Sequence, residues 1–177
     1  LCRNNMVLMS LLSELLFSFL IVGVYYIFRK TYSYKNVFIG CVLAICLNWG
    51  PALVLYNSLT YVLLNTAVLV LYKALMGKNR KLLFVAGLLL GINLFVRISN
   101  VTQVALIVVV WYAGYRKKEE EESDAFFSDK HSFWKNTGCC VSGYVTGALL
   151  VFVFLVITEG TAGFVGMLDW IMSMFTS

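Results

Sequence analysis

The chain has 177 residues, of which 60% are hydrophobic and only 13% charged, with one proline and a mean hydropathy of +0.83. That composition excludes a water-soluble enzyme or binding module of this size. The formal net charge of +5 invites a nucleic-acid reading, but the basic residues stand in small clusters beside apolar runs, as juxtamembrane topology signals do, so no nucleic-acid partner is expected.

Six apolar stretches predict an all-α, polytopic membrane bundle forming one transmembrane domain, with spans at residues 6–28, 37–55, 58–76, 82–97, 101–115 and 137–158. A hydrocarbon core about 30 Å thick takes about 20 helical residues, so the fourth and fifth spans are short. The first ends in Tyr25, Tyr26 and Phe28 ahead of Arg29-Lys30, an interfacial pattern. The second runs into Asn48-Trp49-Gly50-Pro51, where the proline marks a break, and the apolar 52–56 that follows is expected to dip into the outer leaflet. Asn57-Ser58 is expected to cap the third helix, which closes on Gly77-Lys78.

Residues 82–96 make only about 22 Å of helix, and a continuous helix over 82–115 would measure about 51 Å, too long for one crossing. Two short helices meeting near Asn100, below the outer surface, fit better. Gly87 and Gly91 form a small-xxx-small face, as do Gly143 and Gly147, and both predict close helix packing. Residues 116–135, with a run of four glutamates at 119–122, read as a solvated cytoplasmic loop whose Phe126-Phe127 and Phe133-Trp134 touch the membrane surface. Residues 159–163 read as an outer loop, and 164–175, carrying Asp169 and Trp170, as a short C-terminal helix in the interface.

With strict alternation, twelve of the 14 Lys and Arg residues fall on one face and only Arg3 and Arg97 on the other. Basic loops stay cytoplasmic, so both chain ends are expected outside a plasma membrane, with the lipid bilayer as the partner. The start at Leu1 and the apolar finish at Ser177 read as a piece of a longer membrane protein, with N- and C-terminal parts missing.

Chemistry is sought where polarity is costly. Glu14, Arg97, Glu159 and Asp169 all fall in the outer half, where such charges pair or face a cavity. Arg97 stands at a break between short helices, where its planar fork could hold a phosphate bidentately. Tyr56, Asn57 and Asn100 lie at the same level, and capping and ligand contact both remain open for the two asparagines. Asn100-Val101-Thr102 matches a glycosylation sequon but sits too close to the membrane for an acceptor. Cys2, Cys41, Cys46, Cys139 and Cys140 read as small apolar fillers, since no metal-ligand spacing joins them to His131, the one histidine. No catalytic residue and no cofactor follows from the sequence.

In order and spacing these features resemble the C-type integral-membrane glycosyltransferases, the GT-C group that includes protein O-mannosyltransferases and lipid A aminoarabinose transferases. Three patterns carry the likeness: Leu1-Cys2-Arg3 before a span ending in Arg29-Lys30, the segment from Ala52 through Tyr56-Asn57-Ser58 to Thr60, and the run from Lys81 through Gly87 and Gly91 to Arg97. The resemblance implies transfer of a sugar from a polyprenyl-phosphate donor to an extracytoplasmic acceptor, in cell-envelope glycan synthesis at a bacterial inner membrane. It implies that Arg97, with Tyr56, Asn57 and Asn100, lines the donor cavity. It also implies that the acidic catalytic loop would precede Leu1, so this piece alone would lack the base. The competing classes are a fragment of a multi-pass transporter or lipid flippase, and a purely structural membrane subunit.

Overall fold

Backbone amides have no water to bond in a hydrocarbon core, so apolar segments that enter it coil on themselves. The computed structural model describes residues 6–46, 56–119 and 130–176, and over these it is helical with no strand. The elements are α1 (Met6–Phe28), α2 (Tyr34–Cys46), α3 (Tyr56–Met76), α4 (Arg80–Val96), a 3-10 helix (Ile98–Leu106), α5 (Ile107–Glu119) and α6 (Lys130–Thr176). Three stretches are long and apolar enough to cross a membrane: Leu11–Phe28, Ser58–Met76 and Ser132–Gly160, with mean hydropathies of 2.0, 1.6 and 2.4. Tyr34–Cys46 and Ser99–Tyr115 are apolar but shorter.

Side-chain contacts fix the direction of each helix. Tyr25 meets Phe38 edge to face at 6.4 Å, and the Cys41 thiol lies 4.0 Å from the Ile21 carbonyl, so α1 and α2 run antiparallel. Phe28 stacks on Tyr72 at 5.1 Å, which makes α1 and α3 parallel. Asn93 near the end of α4 bonds to Thr60 near the start of α3, so those two are antiparallel. At the other end of α4, Arg80 Nε donates to Asn136 Oδ1 at 2.9 Å, and Trp111 Nε1 of α5 donates to Thr137 Oγ1 at 3.0 Å. Both residues lie early in α6, so α6 runs parallel to α4 while the 3-10 helix and α5 carry the chain back between them.

The centre of the bundle is α4, packed between α3 and α6. Lipid tails are as apolar as leucine, so burying apolar surface between helices gains little there and close backbone approach matters more. The glycines supply that approach from both sides. A Cβ at Gly87 would collide with the Cys140 carbonyl and one at Gly91 with that of Tyr144, while on α6 Gly143 and Gly147 press on the carbonyls of Phe84 and Leu88. Leu71, Ala74, Leu83, Ala86 and Val110 fill the adjoining core from α3, α4 and α5. The outward faces stay apolar, with Phe19, Phe154 and Ile157 each more than half exposed, as expected of a surface that meets lipid.

Several elements differ from the expectation. Asn57 and Ser58 lie inside α3, which starts at Tyr56, rather than capping it. Its other end closes in a Schellman turn, Asn79 N–H to Ala74 carbonyl at 2.9 Å, with Lys78 and not Gly77 in the left-handed conformation (φ 51°). Residues 98–106 wind as a 3-10 helix, so the fifth apolar stretch is two helical types in series. Of the loop expected over 116–135, residues 116–119 belong to α5 and 130–135 to α6, and 120–129 lie outside the described residues. The outer loop expected at 159–163 is a kink: α6 passes through it with Gly160 alone non-helical (φ 72°, ψ 167°), a conformation only glycine adopts freely. The expected helix at 164–175 is the last part of α6 beyond that kink.

Leu1-Cys2-Arg3, the 47–55 part of the second span with Pro51, the glutamates at 120–122 and Phe126-Phe127 lie outside the described residues.

Candidate functional site at the helix break

Asn79 starts α4: its extended backbone precedes the first turn and its side-chain oxygen accepts from Lys81 N–H at 3.0 Å. From that start α4 is buried on two sides: the 3.6-residue period turns Gly87 and Gly91 towards α6, and it turns Ala86, Leu90 and Asn93 to another side, that of α3. Asn93 is 0% exposed. A buried primary amide has to find partners. Its Nδ2 donates to the Thr60 carbonyl at 3.3 Å and to Gln103 Oε1 at 2.8 Å.

Helix α4 ends at Val96 and Arg97 is extended (φ −156°, ψ 128°), which turns the chain into the 3-10 helix. The turn is held from below. Asn100 N–H bonds the Arg97 carbonyl at 2.9 Å, and the Asn100 amide points into the bundle. Its Nδ2 reaches the Asn93 carbonyl at 2.9 Å, Thr60 Oγ1 at 3.1 Å and Asn93 Oδ1 at 3.3 Å. Thr60, Asn93, Asn100 and Gln103 thus form one polar knot tying α3, α4 and the 3-10 helix together at this end.

Asn100 caps the end of α4 in this arrangement, its Nδ2 serving the Asn93 carbonyl in the last turn, and it is not an open ligand group. Its amide is spent on the knot, and at 5% exposure it is no acceptor for glycosylation. Thr102 Oγ1 donates back to the Ser99 carbonyl at 3.0 Å. Arg97 is the exposed member of the group, carried by the extended residue that the knot fixes. No matching family model, curated protein or solved structure was found for this chain.

Glu14 is exposed on α1, and Glu159 is exposed on α6 beside the Gly160 kink. Asp169 belongs to the helix beyond that kink, and Tyr56 and Asn57 to the first turn of α3; their side chains lie outside the described residues. Among the described residues no cluster of His, Cys, Asp and Glu could hold a metal ion. Cys41 and Cys140 are buried and Cys46 is exposed, so the filler role fits the first two.

Sequence reasoning passed over Thr60, Asn93 and Gln103. The signal was available in Asn93, an amide inside an otherwise apolar run, which the membrane tolerates only with a partner.

Proposed function

We propose that the chain is part of a membrane glycosyltransferase of the GT-C type, which moves a sugar from a polyprenyl-phosphate donor to an acceptor outside the cytoplasm. The observation that carries the reading is an exposed guanidinium on an extended link between two helices, braced from beneath by four polar side chains. In this reading the bundle crosses the membrane six times, the knot end faces outward, and α2, α4 and the pair formed by the 3-10 helix and α5 are thin crossings. Arg97 receives the donor's phosphate, and its planar fork offsets the charge that develops there as the sugar departs. The base on the acceptor hydroxyl belongs to a part of the enzyme not in this chain. The breaks at Arg97 and Gly160 also fit a lipid flippase, whose pathway would use discontinuous helices.

Titrating the purified chain in detergent with undecaprenyl phosphate tests the reading. Arg97→Ala should weaken binding about tenfold or more, the worth of a charge-assisted contact, and Arg97→Lys should recover part of it. Unchanged affinity in Arg97→Ala removes the residue from donor recognition. Sugar transfer by an enzyme containing this segment, against movement of intact lipid across vesicles, separates the transferase from the flippase.

A further inference from the structure

The opposite end of the bundle, where α1 and α3 both terminate, holds a small pocket of about 180 Å³. Lys30 and Thr31 line it from just beyond α1, Tyr72 and Lys73 from the last turns of α3, and Tyr26 and Ile27 form its inner wall. None of the described residues lining it is acidic. The Lys30 ammonium sits 5.7 Å from the Tyr26 ring centre, close enough to be positioned by the ring face. Thr31 Oγ1 and Tyr72 Oη are 3.3 Å apart, and since one hydroxyl donates to the other, one O–H is left to donate elsewhere.

Ile27 also lines a second cavity. This apolar furrow of about 340 Å³ runs between α1 and α3 past Gly23, Phe19 and Leu16 on one side and Val70 and Leu69 on the other. From Ile27 to Leu16 is about 16 Å along the helix. Half of a hydrocarbon core is about 15 Å, so the furrow has the length of one leaflet and opens at its end into two lysines and a hydroxyl pair.

We propose that pocket and furrow together seat one anionic phospholipid, its phosphate between Lys30 and Lys73 and one acyl chain along the groove beside Gly23. The helix termini oppose a phosphate here, at about −0.5 charge each, but two ammonium groups outweigh the pair and leave about one positive charge for the ligand. Zwitterionic lipids share the acyl chain and lack the net charge, so the site discriminates by headgroup. A free phosphate shares the headgroup and lacks the chain, so it leaves the furrow empty. The site is distinct from the Arg97 end and does not rest on the glycosyltransferase reading.

Native mass spectrometry of the delipidated chain in detergent tests it, with dioleoylphosphatidylglycerol, dioleoylphosphatidylcholine and inorganic phosphate as probes. The phosphatidylglycerol adduct should be preferred over the phosphatidylcholine adduct about tenfold or more, a preference two lysines at a membrane surface can supply. Lys30→Gln with Lys73→Gln should bring the two lipids to near parity, and Lys30→Arg with Lys73→Arg should keep the preference. Nothing lies within 4 Å of a Cβ at Gly23, so Gly23→Phe adds a ring to the furrow without striking the backbone and should reduce the phosphatidylglycerol adduct with both lysines intact. Parity in the unsubstituted chain, a preference that survives the glutamine pair, or full binding in Gly23→Phe overturns the proposal. Complete displacement of the lipid by millimolar inorganic phosphate also overturns it, and identifies a soluble anion as the occupant.

Discussion

Asn93 and Asn100 show how one residue type serves two ends of a single helix break. Asn93 faces inward because the period of α4 carries it onto the side of Ala86 and Leu90, towards α3 and away from the glycine face, and Asn100 because three residues of 3-10 winding return it beneath Arg97. Asn100 donates to both oxygens of Asn93, while Asn93 donates to the Thr60 carbonyl and to Gln103. Interhelical hydrogen bonds inside membranes contribute about 0.6 to 2 kcal/mol each, so removing the amide that joins three of them is felt. Asn100→Ala should lower stability in detergent by about 1 to 2 kcal/mol, and Asn93→Leu by at least as much, because it also leaves Gln103 unpartnered at Asn93. Thermal unfolding of the purified variants measures this. A variant as stable as the parent chain would mean that the knot does not hold the break. Reading the sequence alone placed Asn100 at the right level but left its use between cap and ligand. What decides the use is Thr60, forty positions away in the chain, which no local pattern reveals.

At the scale of helices, the glycine pairs were legible and the ends were not. Gly87, Gly91, Gly143 and Gly147 announce close packing by spacing alone, and α4 and α6 do pack with each pair against the other's carbonyls. The parallel direction of that contact is a tertiary fact, set by the return of the chain through the 3-10 helix and α5. The 3-10 winding was missed because composition decides apolarity more firmly than it decides helix type, and the outer loop read at 159–163 is reduced to the break at Gly160. The segment after Gly160 reads as a loop from its two glycines, yet only Gly160 leaves the helical region. The glycines also separate by context. Gly87→Ala or Gly91→Ala sets a methyl into the facing backbone and should cost about 3 kcal/mol or prevent folding. Gly23→Ala, with open space around it, should gain up to about 1 kcal/mol from helix propensity. The same thermal assay compares them, and equal effects at Gly87 and Gly23 would refute the close α4–α6 contact.

At the scale of the whole molecule, the alternating directions of the helices bring the basic residues together. Arg29 and Lys30 follow α1, Lys35 opens α2, and Lys73, Lys78, Arg80 and Lys81 surround the α3–α4 turn. Arg116, Lys117 and Lys118 close α5, while Lys130 and Lys135 open α6. All twelve therefore belong to one end, and Arg97 with the polar knot belongs to the other. Lys and Arg near short loops are retained on the cytoplasmic side during insertion, so in the proposed reading the basic end faces the cytoplasm and the knot end the other side. Single cysteines at Lys78 and Lys118, in a chain whose native cysteines have been replaced, should resist an impermeant thiol reagent in intact cells and react once the membrane is opened. A cysteine at the exposed Ser99, on the knot end, should react without opening. The reverse pattern would turn the bundle over and bring Arg97 to the cytoplasmic face. Reaction at all three positions from outside would mean that α4 and the paired 3-10 helix and α5 do not cross the membrane.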